Sequence, residues 1–205
     1  MNCLAILGAS GHGKVVADAA EQSGWGSIHF FDDAWPELAS NSRWSVVGSS
    51  AELLTNLDKY DGVVVGIGDN RIRSQKLQQL GAAGANIVSV IHPSAAISPY
   101  VKLGIGSVVF ANSVINADAV VGPGAIINTG SVIEHDCRLG KCVHLSPNAT
   151  LAGGAVLGRL VWVGANACVK QQVSIGDEVV VGMGSVVLRN VIAGMVVAGN
   201  PAKPL

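Results

Sequence analysis

Residues 127–145, Ile-Asn-Thr-Gly-Ser-Val-Ile-Glu-His-Asp-Cys-Arg-Leu-Gly-Lys-Cys-Val-His-Leu, carry an aliphatic side chain at every sixth position: Ile127, Ile133, Leu139 and Leu145. This period is neither the 2 of a half-buried strand nor the 3.6 of an amphipathic helix. Counting outward by sixes meets an aliphatic residue each time from Ile91 to Val187, seventeen in succession. The positions four later, such as Ser131, Cys137, Val143 and Ala149, are small or β-branched throughout. Both sets must face a narrow interior. Glycine often follows the aliphatic position, as at Gly122 and Gly140, where it is expected to lend a turn its backbone freedom.

A hexapeptide period is the mark of a parallel β-helix, in which no rung can bury its own apolar face and each stacks on the next. Three hexads make one triangular coil, so the repeat supplies between five and six coils. At about 4.8 Å per coil the prism is roughly 27 Å long. Regular ranks of outward threonine, which an ice-type surface would need, are absent. No insertion interrupts the pattern, so no loop projects from the prism as a lid. Any pocket must therefore use the N-terminal part of the chain or a second chain. Residues 192–205, with Pro201 and Pro204, lose the spacing and form a tail that caps or leaves the prism.

The composition follows from the repeat. Among 205 residues there are 26 glycines, with 49% hydrophobic, 4% aromatic and 13% charged residues, and a mean hydropathy of +0.45. Such numbers resemble a membrane protein, yet no apolar run approaches the roughly 20 residues a spanning helix needs. Net charge is −1 with the signs interspersed, which argues against nucleic acid or an anionic membrane as partner. The N-terminus has no basic region ahead of a long apolar stretch, so no signal peptide is expected and the location expected is cytoplasmic. Cys3, Cys137, Cys142 and Cys168 form no zinc-like pair spacing; no metal is expected, and the four read as small buried hydrophobes.

Residues 1–90 alternate strands and helices, which sets a first domain against a second at 91–205. Strands are expected at Cys3–Leu7, Ile28–Phe31, Gly62–Ile67 and Asn86–Ile91. Helices are expected from about Lys14 to Ser23, after Ser49 or Ser50, and over Asn70–Leu80. The turn Gly8-Ala-Ser-Gly-His-Gly-Lys follows a buried strand and opens a helix, the context of an anion-cradling loop, although its spacing is neither G-x-G-x-x-G nor a Walker A sequence. Gly11, His12, Gly13 and Lys14 are the candidate contacts there. Asp32 and Asp33 end the second strand, where carboxylates meet ribose or base in nucleotide-binding sheets. Gly68 and Asn70, in Gly66-Ile-Gly-Asp-Asn-Arg, end the third. Tight turns and ordinary N-caps remain the alternative for each loop.

Within the repeat, His135 lies between Glu134 and Asp136, and a neighbouring carboxylate can fix an imidazole tautomer and raise its basicity. His144 follows half a coil later, on a successive rung or around one corner. Both lie outside the interior set. A general base is one reading of His135; a solvated turn with incidental charges is the other.

Gly8-Ala-Ser-Gly-His-Gly-Lys, His92-Pro-Ser-Ala, the unbroken hexads, Ile133-Glu-His-Asp-Cys and Gly199-Asn-Pro-Ala-Lys together resemble the sugar O- and N-acyltransferases of the sialic acid O-acetyltransferase type. Among them the chain is most similar to the group that acetylates UDP-4-amino sugars in bacillosamine synthesis. The resemblance covers essentially the whole chain. It implies a small Rossmann-like domain for the nucleotide sugar, then a left-handed parallel β-helix, assembled as a homotrimer with active sites between neighbouring prisms. It also implies acetyl-CoA as co-substrate and direct transfer to the 4-amino group of a UDP-linked amino-dideoxy sugar.

By the same resemblance His135 matches the base, Asp136 its orienting partner, and His144 a histidine beside the acetyl thioester that helps stabilise the oxyanion. Close members often carry Glu in place of Asp136. Gly153, Gly154, Ala165, Gly182, Gly184, Ser185, Asn200, Pro201 and Lys203 would line the coenzyme groove. Cys137 falls at an inward position, which argues against an acyl-cysteine route. O-acetylation of sialic acid or another sugar hydroxyl, N-acetylation of a GDP-perosamine-type sugar, and a non-catalytic trimeric nucleotide-sugar-binding protein are the alternatives.

Overall fold

The structure, a computed structural model, describes residues 2–205; Met1, with which the first expected domain begins, lies outside them. The chain forms two compact units that divide between Pro93 and Ser94.

The first unit is built on a five-stranded sheet of β1 (Cys3–Leu7), β2 (Ser27–Phe31), β3 (Ser40–Asn41), β4 (Trp44–Gly48) and β5 (Gly62–Val65). Its order is β3-β4-β2-β1-β5. β1 pairs in parallel with β2 and β5, and β4 in parallel with β2; only β3 runs antiparallel to its neighbour. Helices α1 (Gly11–Gln22), α2 (Ser50–Thr55) and α3 (Asn70–Ala82) complete it. Central β1 buries Leu4, Ala5 and Ile6 completely, as a strand paired on both edges requires. Ser49 and Glu52 start α2 with a capping box, Ser49 Oγ accepting the Glu52 N–H and Glu52 Oε2 the Ser49 N–H at 2.6 Å.

Two expectations for this unit are corrected. α1 begins at Gly11, not Lys14, because Gly8 to Ser10 complete the turn and Ser10 already has N-cap geometry. The Asn86–Ile91 strand does not exist as such: Ile87 alone bridges Val63, and Val90–Ile91 is a separate short strand outside the five-stranded sheet. The fourth parallel strand is β4, whose inward Trp44, Val46 and Gly48 alternate with exposed Ser45 and Val47.

The second unit carries a two-residue strand at every hexad from Ala96–Ile97 to Val186–Val187. Partners lie three hexads apart, as where Val114–Ile115 pairs with Ala96–Ile97 on one side and Val132–Ile133 on the other. Three parallel sheets close a left-handed β-helix. One face runs through Val132–Ile133, the next through Arg138–Leu139, the third through His144–Leu145. Ile115, Ile127, Ile133, Leu145 and Leu151 stack fully buried along its axis. The inward serines are satisfied by their own corners, Ser113 Oγ donating to the Phe110 carbonyl at 2.6 Å. In the tail, Val196–Ala198 adds to the third face and Lys203–Pro204 folds back antiparallel on it.

The corners use glycine differently from the expectation. At Gly122 the backbone is not left-handed; a Cβ would lie 2.6 Å from the Gly140 carbonyl carbon of the next coil, so close approach excludes a side chain. The left-handed residue comes elsewhere, at every sixth position from Gly106 to Gly184, and Asn112, Asp118, Asp136, Asn148 and Asn166 are among its occupants. Ile91, the first member of the aliphatic series, is 38% exposed. Among the cysteines, Cys137 and Cys142 are buried, but Cys168 points outward from its strand and is exposed.

Candidate functional site

Two clusters carry the candidate chemistry. In the first unit the chain leaves β4, passes through α2 and returns to the far side of β1, so the strand order reverses beside β1 and β5. Open parallel sheets bind ligands outside the carboxyl ends of their strands at such a point. Gly8 (φ 110°) donates its N–H to the Phe31 carbonyl at 2.7 Å. α1 packs hard on this turn, since a Cβ on Gly13 would fall 2.1 Å from the Gly8 carbonyl oxygen. Gly11 and Lys14 are exposed on the first helical turn, and His12 is half-buried.

The expected acidic residues also shape this edge. Asp32 accepts the Ala9 N–H at 2.7 Å and the Ala34 N–H at 3.0 Å. Asp33 accepts the Ser50 N–H at 2.9 Å and pairs with Lys76 Nζ at 3.0 Å. Hydrogen bonding from Ser50 and the Lys76 charge hold the Asp33 carboxyl below its ordinary value. The sequence reading missed the residue that organises the third loop. Arg73 is buried and donates to the carbonyls of Ile67 (3.1 Å) and Gly68 (2.9 Å) and to Asn70 Oδ1 (2.7 Å). Burial first, and the Arg73 charge second, push His12 down to about 4.

The second cluster lies on the prism. His135 sits in the corner between the first and second faces and is exposed, its Nδ1 2.8 Å from Asp136 Oδ2. Asp136 occupies a left-handed position (φ 62°). The Asp136 hydrogen bond, then the Asp136 and Glu134 charges, raise His135 above its ordinary value. Glu134 is itself held by Asn116 Nδ2 at 3.0 Å. With Nδ1–H turned to Asp136, Nε2 is the basic nitrogen. That atom lies over Gly153 of the next coil, 2.6 Å from where a Cβ would be, and the Gly154 N–H donates to the His135 carbonyl at 2.9 Å.

His144 stands on the third face, on the same coil as His135 but on its opposite side. It lies outside the prism interior, as the repeat implies, yet it is only 8% exposed. Asn128 Nδ2 approaches its Nε2 at 3.3 Å, and the indole of Trp162 stacks on its ring at 5.6 Å and 5°. Asn128 and Trp162 were missed; the available signal was the three-hexad step from His144 to Trp162. The coenzyme candidates divide in the same way. Gly153 and Gly154 join the His135 corner, whereas Ala165, Gly182, Gly184 and Ser185 fall at the corner after the third face, where Gly184 N–H meets the Ala165 carbonyl at 2.8 Å. Ser185 Oγ accepts the Gly199 N–H at 3.1 Å. Asn200 is exposed, and Pro201 and Lys203 border a cavity of about 470 Å³ with Val187, Arg189 and Met195, at the end of the prism and apart from His135.

Comparison with known proteins places this architecture. Residues 3–80 match the PglD N-terminal domain. The acetyltransferase domain of PglB from Neisseria gonorrhoeae, solved with acetyl coenzyme A, superposes with a TM-score of 0.95 at 40% identity, covering 100% of both chains. PerB from Caulobacter crescentus, solved with CoA and GDP-perosamine, gives 0.94 at 38% identity over 100% of this chain and 98% of that one. UDP-N-acetylbacillosamine N-acetyltransferase of Bacillus subtilis (strain 168) is 35% identical over 112 residues, 53% of this chain; the chain spans about half of that protein's length. An α/β unit ahead of a hexapeptide-repeat β-helix is thus shared along the whole chain with solved acetyltransferases. The chain belongs to the sugar N-acetyltransferases of the bacillosamine and perosamine type.

Proposed function

We propose that this protein transfers the acetyl group of acetyl-CoA to the 4-amino group of a UDP-linked amino-dideoxy sugar, with His135 as general base. The observation that carries this reading is the imidazole tied to Asp136 through Nδ1, with Nε2 over a residue that has no side chain. Asp136 fixes the tautomer and favours the protonated ring, so Nε2 takes a proton from the amine as nitrogen attacks the thioester carbonyl. Collapse of the tetrahedral intermediate expels CoA thiolate, to which the proton on His135 returns. Prism N–H groups meet the oxyanion, and His144 assists by holding Asn128. The loops at Gly11–Lys14, Asp32–Asp33 and Gly68–Asn70 take the nucleotide sugar. Gly153, Gly154, Ala165, Gly182, Gly184, Ser185, Asn200, Pro201 and Lys203 take the coenzyme. No step calls on a metal.

His135 and His144 stand on opposite sides of one coil, which supports a site assembled between neighbouring prisms of a homotrimer. Among the described residues no helix is long and apolar enough to cross a membrane, and we place the reaction in the cytoplasm with its two soluble substrates. A GDP-linked amine is the second reading, favoured by the similarity to PerB. Acetyl-CoA consumption against a UDP-4-amino sugar, a GDP-4-amino sugar and sialic acid tests the proposal. Highest kcat/KM on the UDP-linked amine is expected; turnover of sialic acid alone would overturn it.

A further inference from the structure

We propose that Trp162 is a positioning residue for acetyl transfer: it clamps the His144 ring and, through it, the Asn128 amide that faces the reacting thioester. The inference rests on the reading of this face as part of the transfer site. Ile126, His144, Trp162 and Val180 occupy one outward column on successive coils. Stacked coils place such neighbours about 4.8 Å apart, within the range of centroid separations of offset-stacked rings. The indole and imidazole do so, nearly parallel at 5° with centroids 5.6 Å apart.

A second contact fixes the indole itself. Its Nε1–H donates to Ser146 Oγ at 2.8 Å, and Ser146 lies just beyond His144 on the same coil. Trp162 is therefore clipped to that coil by its ring face and by its N–H, although it is 47% exposed. A tryptophan held only by apolar contact would not need the serine.

The clamp has a chemical consequence at the far edge of the imidazole. Asn128 Oδ1 accepts the Thr129 N–H at 2.9 Å, which turns Nδ2 toward His144. Nε2 of His144 is then the acceptor and Nδ1 carries the proton. One Nδ2 hydrogen of Asn128 is used on His144, and the other remains to donate to an acyl oxygen. A ring free to rotate about its χ2 bond would release Nδ2 and with it the direction of that donor. Geometric errors of this size cost transfer rate more than binding.

The test compares W162F, W162L and S146A with the wild type by steady-state kinetics and by nitrogen NMR of the histidine rings. W162L should lower kcat at least about tenfold, leave KM for the nucleotide sugar within about twofold, and convert His144 from a single Nδ1–H tautomer to an exchanging mixture. W162F, which retains a stacking ring, should recover most of both, and S146A should fall between. Unchanged kcat in W162L overturns the proposal, as does a lower kcat with an unaltered His144 tautomer. Should W162L fail to fold, S146A and W162F carry the same two readouts. Were no nucleotide amino sugar acetylated even by the wild type, the proposed function would fall; an unaltered His144 tautomer in W162L would then overturn the clamp as well, whereas its loss would uphold it.

Discussion

Replacing Gly153 by alanine separates catalytic geometry from stability at one methyl group. The new Cβ would lie 2.6 Å from His135 Nε2 and 2.7 Å from Cε1, where ordinary carbon contacts sit at about 3.5–4.0 Å. The ring must retreat by roughly 1 Å, and a displacement of that order can cost about a hundredfold in rate. The side chain that gives way is 64% exposed, so the retreat costs little in folding. Gly153 lies outside the left-handed region, and alanine at such a site stabilises by about 0.4–1 kcal/mol through the unfolded chain. G153A should melt at or above the wild-type temperature while kcat/KM falls about a hundredfold. Gly154 is the control. Its φ of +68° is left-handed and a Cβ there meets only Gln172 Cγ at 3.5 Å, so G154A should lose about 1–2 kcal/mol of stability, the opposite sign to G153A. Thermal melts and steady-state acetyl transfer measure both. Wild-type kcat/KM in G153A would refute the placement of Nε2 over this residue.

The Asp136 pair predicts a pH effect. Asp136 raises His135, and the base works only when deprotonated, so D136N should move the acidic limb of kcat/KM to lower pH while lowering its plateau about tenfold or more; a limb that stays in place contradicts the assignment. His12 predicts another. Unfolded, it binds a proton below its ordinary 6.5, and folded only near 4, so its contribution to stability is complete above about pH 6.5 and is lost as pH falls toward 4. The loss is at most about 3 kcal/mol, and H12N should flatten that part of the denaturation profile. In the prism, Leu145 is fully buried, and L145A should cost about 2–5 kcal/mol by chemical denaturation.

The prism was legible because its period is long, unbroken and imposed by geometry: an inward aliphatic at every sixth residue has no other explanation. Its corners were less so. A glycine excluded from growing by the coil above it and a glycine needed for a left-handed turn look alike in sequence, and only the register separates Gly122 from Gly124. β4 alternates cleanly along its length but follows a polar loop, and Asn86–Ile91 reads as a strand although its single bridge is to an edge. At the site, His135 announced itself through its flanking carboxylates. The surroundings of His144 did not, because Trp162 arrives a full coil later and Asn128 nearly a full coil earlier. Arg73 was not legible at all, since nothing local marks a guanidinium that turns back to hold the loop before its own helix.

The most direct test of the account follows carbon-13 acetyl from acetyl-CoA onto a UDP-linked 4-amino-dideoxy sugar, with wild type and H135N compared in parallel by product NMR. The expected product is an amide at the 4-nitrogen, formed at least about a hundredfold more slowly by H135N with folding and assembly unchanged. An ester at a sugar hydroxyl, or an H135N rate equal to wild type, would contradict it.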